Sequence, residues 1–319
     1  MKIATLGSAL QDIFLIDKSD FVPMSCSNRP VFGKVVYGSK VNIDRISYEI
    51  GGGGTNSAVA FARFGFDVSF LGNISRDAAG EAVLSLLDKE GVDTSYINFE
   101  KTGHTGCSVI LLDAKTGERT ILTHRGVSST GTFRPESLLS LAPDYLYITS
   151  LSGNLEAIID FIKAAKKTKT KIMFNPGTLE LRRSDTLKKL LSKIDFLLLN
   201  HTEASMLVPG ETLEELLSHL SNYTDTVLIT DGSRGGIATD GTVTYRFGLY
   251  ESVAVKDTTG AGDAFGAGFL AYLISGHSFR QSLIFASANS TSVVQQIGAK
   301  RGLLSPSTEL HPMPIQKLA

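Results

Sequence analysis

Little cysteine, no surplus of either charge and no long apolar run mark this chain, and each shortage excludes a class of protein. Only Cys26 and Cys107 occur in 319 residues, and neither has a partner at metal or redox spacing. They read as free thiols, the usage of a protein kept in a reducing cytoplasm. Lysine and arginine total 31 against 32 for aspartate and glutamate, a net charge of −1, so no basic surface is offered to nucleic acid or an anionic membrane. The longest apolar run, around Ala264 to Ile274, is too short to cross a bilayer. The start, MKIATLGSALQD, holds one lysine and breaks at Gln11-Asp12, which suits a first strand better than a signal peptide. Six scattered histidines form no H-x-x-x-H pair, which argues against zinc. No G-x-x-x-x-G-K-[ST] run exists, so phosphate binding by a Walker loop is excluded. No internal repeat or low-complexity tract appears.

What is present is an α/β rhythm. Short hydrophobic runs at Lys2–Leu6, Val68–Asn73, Tyr145–Thr149, Lys171–Phe174, Phe196–Leu199 and Val227–Thr230 alternate with amphipathic segments such as Asn56–Phe64 and Ala78–Glu90. Strands that are apolar throughout, separated by helices, predict a mostly parallel central sheet flanked by helices on both faces. Two stretches break the rhythm, about 14–49 and 105–124, and read as extended segments and a hairpin turning at Asp113–Gly117. Residues 1–319 are therefore expected to form one domain, with these two excursions as a small β-rich lid.

The stretch DTTGAGDAFGAGF, Asp257 to Phe269, holds the strongest local signal. As a dinucleotide fingerprint it fails, because Phe265 stands where the third glycine belongs. Gly260, Ala261 and Gly262 leave the backbone bare just before the Ala264–Ile274 helical run, so their N–H groups and the helix dipole form an anion pocket. Asp263 beside it either stabilises the dipole or takes a proton from a hydroxyl. A second cluster, Gly51 to Gly54, lets backbone approach a ligand and presents Asn56 from the next helix. Alone it is more often a tight loop than a site. Polar residues end three apolar runs, at Asn175, Asn200 and Asp231, where open α/β sheets bind ligands. Each on its own also reads as a helix cap.

Taken in order, these elements resemble the ribokinase-like (PfkB) carbohydrate kinase family over nearly the full length. The glycine cluster with Asn56 resembles its N-terminal signature, and Asp257-Thr-Thr-Gly-Ala-Gly-Asp263 its C-terminal one; Asn200-His-Thr-Glu203 and Thr230-Asp-Gly-Ser-Arg-Gly235 match its N-x-x-E and T-x-G-x-x-G elements. The resemblance implies an ATP-dependent kinase. Asp263 would be the base, with Gly260, Ala261 and Gly262 as the anion hole. Asn200 and Glu203 would organise Mg²⁺, and Thr230, Gly232, Ser233 and Gly235 would line the nucleotide. Asp12, Gly53 and Asn56 would bind the sugar, and Asp257, Thr259 and the region of Gly298 would hold a monovalent cation such as K⁺.

The chain departs from the family pattern in several places. Ser75 stands where a glycine is common, Ser287 occupies a late-helix position often held by Asn or His near the adenine, and the match beyond Gly298 is loose. The glycine cluster has no lysine to hold a phosphate already on the acceptor, and Arg125 is the one nearby candidate. An unphosphorylated sugar or sugar acid is thus the expected acceptor. A nucleoside is the alternative, with Phe14, Phe32 and Tyr37 read either as walls for its base or as plain core. A kinase-fold regulator without catalysis is the alternative from another class, and the intact base and anion hole speak against it. Exposed lid strands are expected to pair into a homodimer.

Overall fold

Strands apolar on both faces need cover on both sides, and that requirement organises the molecule. The computed structural model describes residues 1–17, 24–26, 29–31, 40, 42–113 and 119–318. Its main sheet has nine strands in the order Ile315–Leu318, Thr244–Phe247, Gly236–Thr239, Thr226–Thr230, Phe196–Asn200, Lys171–Phe174, Tyr145–Ile148, Lys2–Leu6 and Asp67–Leu71. The six from Thr226–Thr230 to Asp67–Leu71 are parallel. The other three continue the sheet antiparallel, an edge that the alternating pattern does not announce.

Alternation along each strand feeds two cores. Ala4, Leu6, Leu146 and Ile148 face the helices Leu155–Thr168, Ser184–Leu191 and Leu213–Leu220. Ile3 and Tyr147 face the opposite layer, which includes Val59 and Phe61 of the Gly53–Arg63 helix and Phe265 and Phe269 of the Ala261–Ile274 helix. Among the described residues no helix is long and apolar enough to cross a membrane.

The position of the site follows from the topology. From Lys2–Leu6 the chain steps to Asp67–Leu71 on one side, then crosses to Tyr145–Ile148 on the other. Connections diverging from neighbouring strands leave a crevice at their carboxyl ends, where open α/β sheets take ligands. Gly7, Thr149 and the Gly51–Gly54 turn gather there: a Cβ on Gly7 would lie 2.0 Å from Thr149 Oγ1 and 2.7 Å from Gly54.

Beside the crevice stands a separate four-stranded sheet, ordered Arg119–His124, Gly106–Asp113, Leu10–Asp17 and Arg45–Gly51. It overlaps both excursions noted in the sequence but begins earlier, at Leu10. Asp12 therefore lies within a strand, in register with Glu49 and Ser108. Period-two alternation puts Asp12 on the buried side with Phe14 and Ile16, which pack with Ile110 and Leu112. Met24–Cys26 and Arg29–Val31 pair as a short ribbon. Phe32, Tyr37 and most of the expected hairpin turn after Asp113 lie outside the described residues.

Candidate active site

Four segments far apart in sequence meet at the crevice. The Ala261–Ile274 helix starts three residues earlier than its apolar run suggests, with Gly260 as N-cap at φ 77°. Ala261 N–H donates to Thr258 O at 3.3 Å. Among the described residues the Gly262 and Asp263 N–H groups have no protein acceptor. They are the orphan donors of a helix start, and a Cβ on Gly262 would meet nothing within 4 Å, so the approach is open.

Asp263 Oδ2 accepts a hydrogen bond from Asn56 Nδ2 at 2.8 Å. Burial raises the Asp263 pKa, while the Asn56 bond and the Lys300 charge oppose the rise. The glycine cluster exists to let both carboxylates in. A Cβ on Gly51 would stand 1.9 Å from Asp12 Oδ2, and one on Gly53 would stand 3.1 Å from Asp263 Oδ1. Asp12 is only 6% exposed, and burial pushes its pKa up to about 6 against a hydrogen bond from Ser108 and the Lys300 charge. Two carboxylates are thus each packed on a glycine of the same turn. Asp12, Gly53, Asn56 and Asp263 are brought together as a set.

Asp257 is fully buried and occupied. Its Oδ1 accepts from Thr259 N and Oγ1 at 2.9 and 2.7 Å, and its Oδ2 accepts from Gly298 N at 3.1 Å. Arg119, on the second sheet, places Nε 3.6 Å from Oδ1. A guanidinium already beside this carboxylate fits poorly with a resident monovalent cation on the same oxygens. Its visible work is to shape the 257–260 turn that feeds the anion-binding helix start.

Residues expected to line the nucleotide surround a neighbouring cavity of about 120 Å³. Thr230, Gly232 and Gly235 form one wall, Phe247 to Tyr250 a second, and Ala261, Gly262 and Phe265 a third, with Ser287, Ser290 and Thr291 behind. Phe265, the residue that broke the dinucleotide fingerprint, stacks on Phe247 at 5.7 Å. Ser287 Oγ is buried with no partner among the described residues, a donor left for something in the cavity. Ser233, Asn200 and Glu203 line an adjoining cavity with Thr178 and Arg234. Asn200 and Glu203 form a capping box for His201–Leu207: Asn200 Oδ1 accepts from Glu203 N and Glu203 Oε2 from Asn200 N, both at 2.9 Å. Burial raises the Glu203 pKa. Its second oxygen is not used in the box, and an oxygen donor of this kind suits Mg²⁺ held with phosphates and water. The other strand-end residues are structural: Asn175 Nδ2 donates to Leu198 O at 2.9 Å, and Asp231 is paired with Arg234 at 2.7 Å.

Sequence reasoning missed Lys300. Its side chain is 7% exposed, and Nζ donates to Ile50 O at 2.5 Å, Thr55 Oγ1 at 3.1 Å and Asn56 Oδ1 at 2.5 Å. Desolvation lowers its pKa to about 7 against the pull of Asp12, Asp263 and Glu49. Nothing local flags it, because its partners lie some 250 residues away in sequence, as with Ile50.

Comparison with known proteins agrees with this geometry. The chain matches the description "pfkB family carbohydrate kinase" over residues 10–305. Ribokinase of Haemophilus influenzae is 31% identical over 268 residues, covering 81% of this chain and 85% of that protein. Ribokinase of Lactococcus lactis is 27% identical over 307 residues, covering 95% and 93%. Arabidopsis thaliana ribokinase, solved with ribose and ATP, superposes with a TM-score of 0.77 at 25% identity over 95% of each chain. A putative ribokinase II from E. coli, solved with ATP and Mg²⁺, gives a TM-score of 0.77 at 19% identity over 95% of this chain and 96% of that one. The chain belongs to the pfkB family of carbohydrate kinases, phosphotransferases that act on a sugar hydroxyl, and it has their ribokinase fold.

Proposed function

We propose that this enzyme transfers the γ-phosphoryl group of ATP to a hydroxyl of a small unphosphorylated sugar or sugar acid in the cytoplasm. The observation that carries the reading is the Asn56–Asp263 hydrogen bond at the open helix start, with Asp12 across the same glycine turn. Asp12 accepts a hydrogen bond from an acceptor hydroxyl and orients it. Asp263, ionised and held by Asn56 through one oxygen, takes the proton from the hydroxyl that attacks. The Gly262 and Asp263 N–H groups, in the Gly260–Asp263 turn, receive charge on the transferred group. ATP lies along Thr230, Gly232, Ser233 and Gly235, with Ser287 toward the base. Asn200 and Glu203 would hold Mg²⁺, which would supply charge neutralisation at the phosphates. The second sheet acts as a lid over the acceptor, since it carries Asp12. Exposed Ile46 and Tyr48 on one of its outer strands, with Ile121 and Leu122 on the other, support pairing with a second copy.

Phe14 weighs against a nucleoside acceptor, because it is wholly buried in the apolar core of the second sheet and cannot wall a base. The test is ADP formation from ATP with a panel of free sugars, sugar acids and nucleosides. A sugar or sugar acid should give the highest kcat/KM. A nucleoside ahead of every sugar, or no ADP with any acceptor, would overturn the reading.

A further inference from the structure

The Lys300 ammonium sits behind the pocket and does not need to touch an acceptor to matter. Three protein acceptors around Nζ select the ammonium form over the neutral amine, and ammonium has three donors and no acceptor. Here all three have protein acceptors: Ile50 O, Thr55 Oγ1 and Asn56 Oδ1. The Lys300 backbone is fixed as firmly, because its carbonyl accepts from Arg63 Nη1 at 2.5 Å and Arg63 is paired with Glu90 at 2.6 Å. The neighbouring residues of the same turn brace the site too. Gly298 N–H donates to Asp257, and a Cβ on Gly260 would lie 2.2 Å from that of Ala299.

An asparagine amide presents two unlike ends. Against an ionised Asp263 only the Nδ2 end is attractive, but once Asp263 has taken a proton the carboxyl can donate and the Oδ1 end becomes acceptable. A donor-only group on the far side removes that choice: with Lys300 bonded to Oδ1, flipping Asn56 would set NH₂ against ammonium. We propose that Lys300 is a positioning residue for phosphoryl transfer, locking the Asn56 amide so that Nδ2 always faces Asp263 and one carboxylate oxygen stays aimed at the acceptor hydroxyl. The charged groups that face Lys300 are Asp12, Asp263 and Glu49, which attract it, and Arg63, which repels it. The inference rests on Asp263 being the base.

A double-mutant cycle in the full-length enzyme tests it, with ATP and whichever panel acceptor gives the fastest ADP formation. Lys300→Met keeps the length and apolar stem without a donor. It should lower kcat by about 10- to 100-fold, the scale of a misplaced reacting group, with KM for ATP within about twofold. In an Asn56→Ala background the same change should cost less than about threefold in kcat, because the route through the amide is already gone. A merely structural lysine would instead give equal losses in both backgrounds, and that result overturns the inference, as does a Lys300→Met enzyme with wild-type kcat. If Lys300→Met fails to fold by thermal melting, Lys300→Leu in both backgrounds, which also lacks any donor, supplies the same cycle. Asp263→Asn, run in parallel, separates the two claims. Full activity in that variant removes the base and this inference with it, whereas its loss beside an unaffected Lys300→Met removes only the role of Lys300.

Discussion

The proposed acceptor side and the proposed nucleotide side of the crevice are built on different principles. The acceptor side draws Asp12, Gly51–Asn56, Asp263 and Lys300 from the second sheet, two helices and a late turn, and from both ends of the chain, into one buried, hydrogen-bonded cluster. The nucleotide side is lined by glycine turns and small side chains, and its polar residues are largely engaged in closing their own helix or turn, as Asn200, Glu203 and Asp231 are. A buried set of charges keeps its geometry because each member holds another, so damage there should appear in the chemical step or in acceptor affinity. An open wall of backbone adapts to its ligand, so damage there should appear in nucleotide or metal requirement.

The largest test of that contrast is Asp263→Asn. The change is nearly isosteric and should leave the fold and ATP affinity intact while kcat falls by about 10²–10⁴ through loss of the base. Steady-state kinetics with circular dichroism check it, and a fully active variant ends the assignment. Asp12→Ala comes next: a hydrogen bond to a charged group contributes roughly 1.5–3 kcal/mol, so acceptor binding should weaken by about one to two decades with ATP binding almost unchanged. The same residue gives a pH signature. Its carboxyl titrates at about 6, and only the ionised form is a pure acceptor for the acceptor's hydroxyl, so acceptor KM should climb as pH falls through that value. Asp12→Asn should flatten this rise, and a rise that survives the substitution assigns it to another group. The smallest effect is expected across the crevice. Glu203→Gln keeps part of its helix cap and should raise the Mg²⁺ concentration needed for half-maximal rate more than the acceptor KM; a change confined to acceptor KM would take Glu203 away from the metal.

Much of this comparison was legible in the sequence, and unevenly so. The parallel strands are nearly continuous apolar runs, and Lys171–Phe174 is found within the bounds read from the sequence. The glycine turn and the Asp257–Asp263 stretch were visible because backbone approach demands small residues at fixed spacing. Asp12 was read only as an acid after the first strand, although the alternation of Asp12, Phe14 and Ile16 on one strand face was there to be read. The start of the Ala261–Ile274 helix was set late because Gly262 is a poor helix former, and here the open first turn is what the site uses. The capping box of Asn200 and Glu203 is a sequence-local pattern, so both its structural work and its place beside the nucleotide side were in view. Lys300 was not. In Gly298-Ala-Lys-Arg-Gly302 it looks like one of two adjacent basic surface residues, and only the long-range packing against Ile50, Thr55 and Asn56 separates it from exposed Arg301.

On the proposed reading, the space between Asp12 and Asp263 receives a free hydroxyl and no phosphate. A dianionic phosphate beside Asp12 would meet a like charge, costing on the order of a few kcal/mol at ~4 Å in a partly screened site. Arg125, the candidate counter-charge, is exposed and donates to Ser152 Oγ at 3.1 Å. The most direct measurement is a competition assay in which free sugars, sugar acids and their monophosphates are offered together at matched concentration and the phosphorylated products are quantified. An unphosphorylated acceptor is expected to take most of the phosphoryl flux. A sugar phosphate that wins by a clear margin, and loses that margin in Arg125→Ala, would contradict it.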